Sequence, residues 1–299
     1  MMTSEQSRKT EQAFADMRLE SGVIYVVATP IGNLDDMTIR AVNVLKSVGI
    51  IAAEDTRQTR ILLSHFGIGD KRLVSLHEHN ESERVEELLQ LTADGETLAL
   101  VSDAGTPLVS DPGTLLVQAA WKAGVRLIPV VGPSALTALL SVSPFGANAV
   151  RFAGFLPTKP GPRKEAIVEM GCSDGAVIFF EAPRRIVETL RVIAEVFPDR
   201  ALLVGRELTK MHEEILLGTA HELLPSIEAE HRGEFVCLVS GANDGKNGNQ
   251  HRKEITRRQL IDVLGKDLPP RSLARVIARL FDVPSREVYR ELTGGSADE

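Results

Sequence analysis

Residues 98–114, LALVSDAGTPLVSDPGT, constrain the fold of this chain more than any other stretch. The apolar run Leu98–Val101 stops at Ser102-Asp103, enters a loop punctuated by Gly105, Pro107, Pro112 and Gly113, and then gives way to an amphipathic run. A strand that opens into a small-residue loop and then a helix carries bare backbone amides and a carboxylate to the carboxyl edge of a sheet. That edge is where α/β proteins hold small ligands. Similar edges recur at Ala28-Thr29-Pro30-Ile31-Gly32-Asn33 and at Val131-Gly132-Pro133-Ser134-Ala135. Three such loops predict one shared pocket.

The rest of the chain supports that frame. Apolar runs at Val23–Ala28, Ile50–Ala53, Leu73–Leu76, Leu98–Val101 and Leu127–Val131 read as strands. Between them, Met37–Val48, Thr56–Phe66, Ser82–Ala93, Thr114–Ala123 and Ala135–Val142 carry helical periodicity. Alternation of this kind predicts a mostly parallel sheet covered on both faces. The first α/β domain spans residues 22–148, after a polar tail at 1–21 expected to be disordered. Residues 151–160, RFAGFLPTKP, read as a hinge into a second α/β domain at 149–240. Its strands fall at Ala176–Phe180, Ala201–Val204, Glu214–Leu217 and Glu234–Val239, with helices at Arg163–Met170, Arg184–Val196 and His221–Ala229. Arg206–His212 is short enough for a hairpin-like turn, so this second sheet is expected to be mixed.

The 299 residues suffice for about two domains with cores of their own. The net charge of −7 gives no global case for a nucleic-acid partner, but its distribution does. Residues 251–290 hold ten Lys/Arg against five Asp/Glu, a local +5 that leaves −12 elsewhere. This basic stretch follows GANDGKNGNQ, residues 241–250, a flexible linker by composition. Prolines at 269, 270 and 284 divide residues 251–299 into three short helices, Thr256–Leu264, Ser272–Phe281 and Ser285–Leu292. Arg271, Arg275 and Arg279 share one face of the middle helix. A helix-turn-helix-like module is one reading, and a solvated stripe on a dimerisation appendage is the other.

Cys172 and Cys237 lie far apart without a CxxC pair, so neither a disulfide framework nor a cysteine-rich zinc site is expected. No apolar run reaches the ~18 residues of a membrane span, and the first 20 residues lack the apolar core of a signal peptide. The expectation is a cytoplasmic protein without membrane contact.

Chemistry gathers at strand ends. ATPIGN lacks the glycine spacing of a dinucleotide loop and no P-loop lysine follows, so Gly32-Asn33 is either a tight turn or a ligand loop. Asp111-Pro112 makes a better helix cap than Asp103, which leaves Ser102–Thr106 for a ligand with donors and a cationic centre. Glu54-Asp55-Thr56-Arg57 sets two acids beside an arginine: one caps the next helix, the other is free to bind or orient. His77 and His79 form a His-x-His pair without a third ligand, so they are expected to reach substrate or a neighbouring acid rather than a metal. FFEAPRR at 179–185 and GRELTK at 205–210 end two more strands in carboxylates and cations. Their arginine forks suit phosphates and their carboxylates suit ribose or ammonium donors, unless they simply pair at a turn.

Together the strings YVVATPIGNLDDMTIRA, AAEDTRQTRILLSHF, SDAGTPLVSDPG, VVGPSALTALL, FAGFLP, FFEAPRR and GRELTK resemble the tetrapyrrole methylase superfamily, and most closely its ribosomal RNA branch. The resemblance covers residues 22 to 240 nearly continuously, and residues 251–299 are similar to that branch's C-terminal helical module. Porphyrin-type members carry GPGDP-like and GGDP-like loops where Thr29–Asn33 and Ala104–Pro107 stand here, a departure that favours RNA over a corrin or porphyrin. The resemblance implies two α/β domains with S-adenosylmethionine in the cleft between them, a homodimer, and no metal. It implies 2′-O-ribose methylation of a cytidine in 16S rRNA of the small ribosomal subunit, position 1402 in standard rRNA numbering. It places cofactor contacts on Pro30, Ser102, Asp103, Ala104, Gly105, Thr106, Ser110, Pro133, Ser134 and Ala135, with Phe180, Glu181 and Glu207 from the second domain.

No Lys-Asp-Lys-Glu tetrad is evident, so Glu54, Asp55, His79 and Glu181 are the candidates to orient or accept the ribose proton. Arg57, Arg60, Arg184, Lys210, Arg271, Arg275 and Arg279 are the candidates for RNA phosphates. Two other functions fit parts of the pattern: C-methylation of a tetrapyrrole, and a ligand-sensing DNA-binding regulator. The second does not need two acid-and-arginine clusters facing one cleft.

Overall fold

The computed structural model describes residues 19–146, 149–171, 173, 175–241, 261, 268–281 and 283–293. They belong to two compact units divided between residues 245 and 246. In the first unit, β1 (Val23–Val27), β2 (Ile50–Ala53), β3 (Arg72–Ser75), β4 (Leu98–Val101) and β5 (Arg126–Val130) form a parallel sheet in the order β3-β2-β4-β1-β5. Helices α1 (Ile39–Ser47) and α2 (Thr56–His65) cover one face, and α3 (Glu81–Ala93) and α4 (Thr114–Ala123) the other. Strand residues alternate between them. Ile51 and Ala53 join Ala41, Val44 and Leu63, whereas Ile50 and Ala52 join Leu88, Leu116 and Ala120. Because both faces are covered, β2 and β4 are unbroken apolar runs.

After β5 comes α5 (Ala135–Ser141), which belongs to the core of a second sheet. That sheet contains β6 (Val150–Phe155), β7 (Ala176–Glu181), β8 (Ala201–Arg206), β9 (Glu214–Thr219) and β10 (Phe235–Val239), ordered β6-β7-β10-β8-β9. Only the β6–β7 pair is parallel, so the sheet is mixed as expected, and β8 and β9 form the hairpin around residues 207–213. Helices α6 (Pro160–Met170), α7 (Pro183–Val196) and α8 (Ala220–Ala229) cover one face, where Phe179, Cys237 and Val239 are buried. On the opposite face Ile178, Leu203, Val236 and Leu238 pack on Leu139 of α5. Burying one such leucine contributes about 2 kcal/mol.

In the second unit, α9 (Pro270–Phe281) and α10 (Ser285–Thr293) pack through Leu273, Ala274, Ile277 and Val288. This leaves Arg271, Arg275 and Arg279 exposed along α9.

Two expectations need correction. Residues 151–160 are no hinge: Val150–Phe155 pair with β7 and Pro160 starts α6. Asp111 does not cap α4. Gly113 holds the cap position, and the carboxylate of buried Glu81 accepts from Leu115 N (2.6 Å) and Leu116 N (3.2 Å) in its place. His77 and His79 lie in the turn that follows β3, beyond the end of the expected strand at 73–76. The expected tail at 1–21, the linker at 241–250 and the helix at 256–264 lie outside the described residues, apart from residues 19–21, 241 and 261.

Candidate active site

Strands β4, β1 and β5 are neighbours, so the three small-residue loops leave the sheet side by side. Backbone bonds tie the first to the second: Thr29 N donates to Gly105 O (2.9 Å) and Gly105 N to Thr29 O (3.0 Å). The Thr29 hydroxyl donates to Ser102 O at 3.1 Å, and the Thr106 hydroxyl joins the third loop by donating to Pro133 O at 3.1 Å. Gly105 sits at φ 80°, and a Cβ there would lie 3.3 Å from Ile31 Cγ2, so a side chain would meet both strain and a crowded wall. Leu108 and Ser110 adopt φ 71° without being glycine. Each such residue costs about 1–3 kcal/mol, and strain of this kind collects at ligand loops.

These loops form one wall of a cavity of about 320 Å³. Ala104, Gly105, Thr106, Ser110, Ser134 and Ala135 line it from the first sheet, and Phe180 and Glu181 from the end of β7. Pro30, Ser102, Asp103, Pro133 and Glu207 are absent from the wall. Ser102 is buried behind it, where its carbonyl holds Thr29. Asp111, Phe155, Leu208 and Glu234 line the cavity although nothing in the sequence singled them out as cofactor residues. The signal for Asp111 was its position one residue after Ser110; its role as an expected cap hid it.

Beside the cavity lies an acidic ridge. Asp55 caps α2, accepts from Arg57 N (2.8 Å) and pairs with the Arg57 guanidinium (2.8 Å). That guanidinium holds the Asp55 carboxyl down at about 2. Asp103 accepts from Asp55 N at 2.9 Å, while Glu54 accepts from Asp103 N at 3.4 Å. Burial raises the pKa of both Glu54 and Asp103, with neighbouring carboxylates adding to it. Asp111 goes furthest: burial, together with the charges of Glu54 and Asp103, pushes it up to about 6 against the pull of a hydrogen bond from Ser102.

The remaining candidates divide by their partners. Glu181 is 1% exposed. Its carboxylate accepts from Ala182 N (2.8 Å) and Thr189 Oγ1 (2.7 Å) and pairs with Arg185 Nη2 (2.6 Å). It anchors the start of α7. Glu207, at φ 50°, accepts from Glu234 N (2.9 Å) and pairs with Lys210 (2.8 Å), which also reaches Glu234 (3.0 Å). Lys210 is thus already neutralised twice. His79 is exposed with its ring 6.0 Å from that of His77, and it does not touch the cavity. Arg60 and Arg184 are exposed, and the Arg57 side chain is 84% exposed. No group of three metal-ligating side chains occurs among the described residues.

Comparison with known proteins places this geometry. The sequence profile of the tetrapyrrole (corrin/porphyrin) methylases matches residues 23–224. A Xylella fastidiosa (strain Temecula1) protein named ribosomal RNA small subunit methyltransferase I is 46% identical over 273 residues, 90% of this chain and 98% of that one. A Neisseria meningitidis serogroup B protein of the same name is 40% identical over 271 residues, 90% of this chain and 92% of that one. In fold, the chain is similar to the crystal structure of a uroporphyrin-III C-methyltransferase from Thermus thermophilus complexed with S-adenosylhomocysteine. The two superpose with a TM-score of 0.53 at 14% identity, over 73% of this chain and 97% of that one. Profile, sequence relatives and fold agree, and the chain belongs to the tetrapyrrole methylase family, on the branch of the small-subunit ribosomal RNA methyltransferase I proteins.

Proposed function

We propose that this chain transfers a methyl group from S-adenosylmethionine to the ribose 2′-oxygen of a cytidine, position 1402, in 16S rRNA of the small subunit. It is an S-adenosylmethionine-dependent rRNA methyltransferase by its relatives. The ribose oxygen, the cytidine, the assembled subunit as target, the homodimer and the cytoplasmic setting are the proposal's finer parts. One observation carries it: a cavity of about 320 Å³ whose wall is apolar and small-residue but whose rim is acidic.

That lining fits the cofactor. A purine and ribose want flat apolar walls and a few backbone groups, which Ala104–Thr106, Ala135 and Val236 supply. A sulfonium and an ammonium want carboxylates, and Asp111 stands on the wall with Glu54 and Asp103 close enough to perturb it. When bound, S-adenosylmethionine supplies a methyl group already activated by positive sulfur, so the protein's task is alignment and proton removal. Alignment of two reactants supplies several kcal/mol of the barrier, and a positioned base adds roughly 10²–10⁴-fold.

Among the four residues expected to handle the proton, Asp55 and Glu181 are committed to partners and His79 lies on an exposed turn. Glu54 remains: it too is absent from the cavity wall, but it sits in the acidic ridge beside it, holding Asp103 N by a weak bond, with a raised pKa. We assign it the proton. Arg60 and Arg184 contribute exposed guanidinium groups for phosphates, and Arg57, exposed but paired with Asp55, contributes one from the ridge.

Tetrapyrrole C-methylation is favoured by the family profile and by fold neighbours such as the Thermus thermophilus enzyme, at 14% identity, but the Xylella fastidiosa rRNA methyltransferase is 46% identical. Methyl transfer from labelled cofactor to purified small subunits and to free rRNA, followed by mapping of the modified nucleotide, tests the reading. Label on a cytidine ribose of the small subunit is expected. Label on a base, or on a porphyrinoid with none in RNA, overturns it.

A further inference from the structure

We propose that Phe152 and Phe155, on the edge strand β6, form with Phe180 a platform on which the base of the nucleotide undergoing methylation stacks; this rests on the RNA methyltransferase reading above. The motif FAGFLP carries the pair, and the cofactor and proton roles leave it unused.

Two residues three apart on a regular strand point to opposite faces of the sheet. Here they do not. Phe152 lies opposite Ile178 and Phe155 opposite Phe180, so β6 takes three steps where β7 takes two. The irregularity is a bulge, and Gly154 within it sits at φ 65°, a conformation other residues adopt only under strain. The extra residue restores the phase, so both rings flank Phe180. Their centroids are 5.2 Å (interplanar angle 69°) and 5.4 Å (56°) from its ring. The same bulge brings Gly154 against the cavity loop, where a Cβ would lie 3.6 Å from Ser110 Oγ.

Phe152 is 37% exposed and Phe155 55% exposed. Two exposed rings clustered about a third make a contiguous apolar patch, the kind that marks an interaction surface rather than scattered surface residues. Phe155 and Phe180 also line the cavity, so the ring cluster borders the space proposed for the methyl donor. A nucleotide that presents its ribose to that cavity must leave its own stack, at a cost of a few kcal/mol. Phenyl faces return part of that cost by stacking, and because they offer no hydrogen-bonding pattern they hold the base without selecting it.

The test uses the full chain, purified small subunits and labelled S-adenosylmethionine. Phe152→Ala, which lies off the cavity wall, should raise KM for the subunit on the order of tenfold. Its Kd for S-adenosylhomocysteine and its mass by sedimentation should match the parent's, and Phe152→Tyr should restore KM. Phe155→Ala should raise KM at least as far. An unchanged KM in both alanine variants overturns the proposal. So does a KM loss in Phe152→Ala accompanied by a changed mass, which would mark the patch as a contact between copies, or by lost cofactor affinity. A parent chain that methylates no RNA removes the underlying reading as well, and is recognised by failing before any substitution is made.

Discussion

At the scale of single residues, carboxylates with similar sequence contexts do different work because burial and partners differ. Glu181 ends a strand, as Glu54 follows one, yet it is sealed between Arg185, Thr189 and the Ala182 amide. Glu181→Ala should therefore cost about 3–5 kcal/mol of unfolding free energy, since it strands a buried guanidinium. Glu181→Gln should cost less. Denaturant titration measures both, and a Gln variant of parental stability but without turnover would return Glu181 to the chemistry. Asp111 makes a pH prediction. Its folded pKa of about 6 exceeds the ordinary 3.8, so the folded chain holds a proton the unfolded chain has lost, and stability falls as pH rises between those values. Asp111→Asn should remove that slope, so the gap between variant and parent midpoints should widen from about pH 4 to pH 6 and then stay constant. Affinity for the cationic cofactor should rise across the same window in the parent and stay flat in the variant, by calorimetry. None of this was legible in the sequence. A cap site and a ligand site both read as Asp before Pro, and only the position of Glu81 against the α4 amides decides between them.

At the scale of elements the sequence was far more readable, for a physical reason. Strands buried on both faces must be continuously apolar, and helices between two solvents must be striped, so β2, β4 and α4 stand where their patterns put them. Strand β6 broke the rule. It lies at an edge, half of it is exposed, and its Gly154 serves a bulge, so composition alone made it resemble a hinge. The arginine stripe on α9 was legible because spacing of four residues holds wherever a helix forms. Arg271, Arg275 and Arg279 are all exposed, with Leu273 and Ile277 turned into the core. If these three contact phosphates, replacing them with alanine should weaken RNA binding and flatten the slope of log K against log salt by about two to three. Filter binding at several salt concentrations measures it, and parallel slopes for variant and parent would reduce the stripe to a solvated face.

At the scale of the whole molecule, the division into two compact units separates two properties that the sequence had already separated by charge. The acidic first unit contains the entire cavity, from the loops after β1, β4 and β5 to the ends of β7 and β10. The second unit carries a basic helix face and a core of its own around Leu273, Ile277 and Val288. Electrostatic attraction to phosphates depends on where cations cluster, not on net charge, so a chain of −7 can still hold RNA. Removal of residues 246–299 should therefore leave S-adenosylhomocysteine affinity within about twofold of the parent. The same truncation should raise KM for small subunits by an order of magnitude or more, most steeply at high salt. Calorimetry on the truncated chain and kinetics across a salt series separate the two effects. A truncated chain that keeps its parental KM would mean that Arg57, Arg60 and Arg184 carry the RNA unaided, while one that loses cofactor affinity would overturn the separation of cofactor and RNA binding between the units.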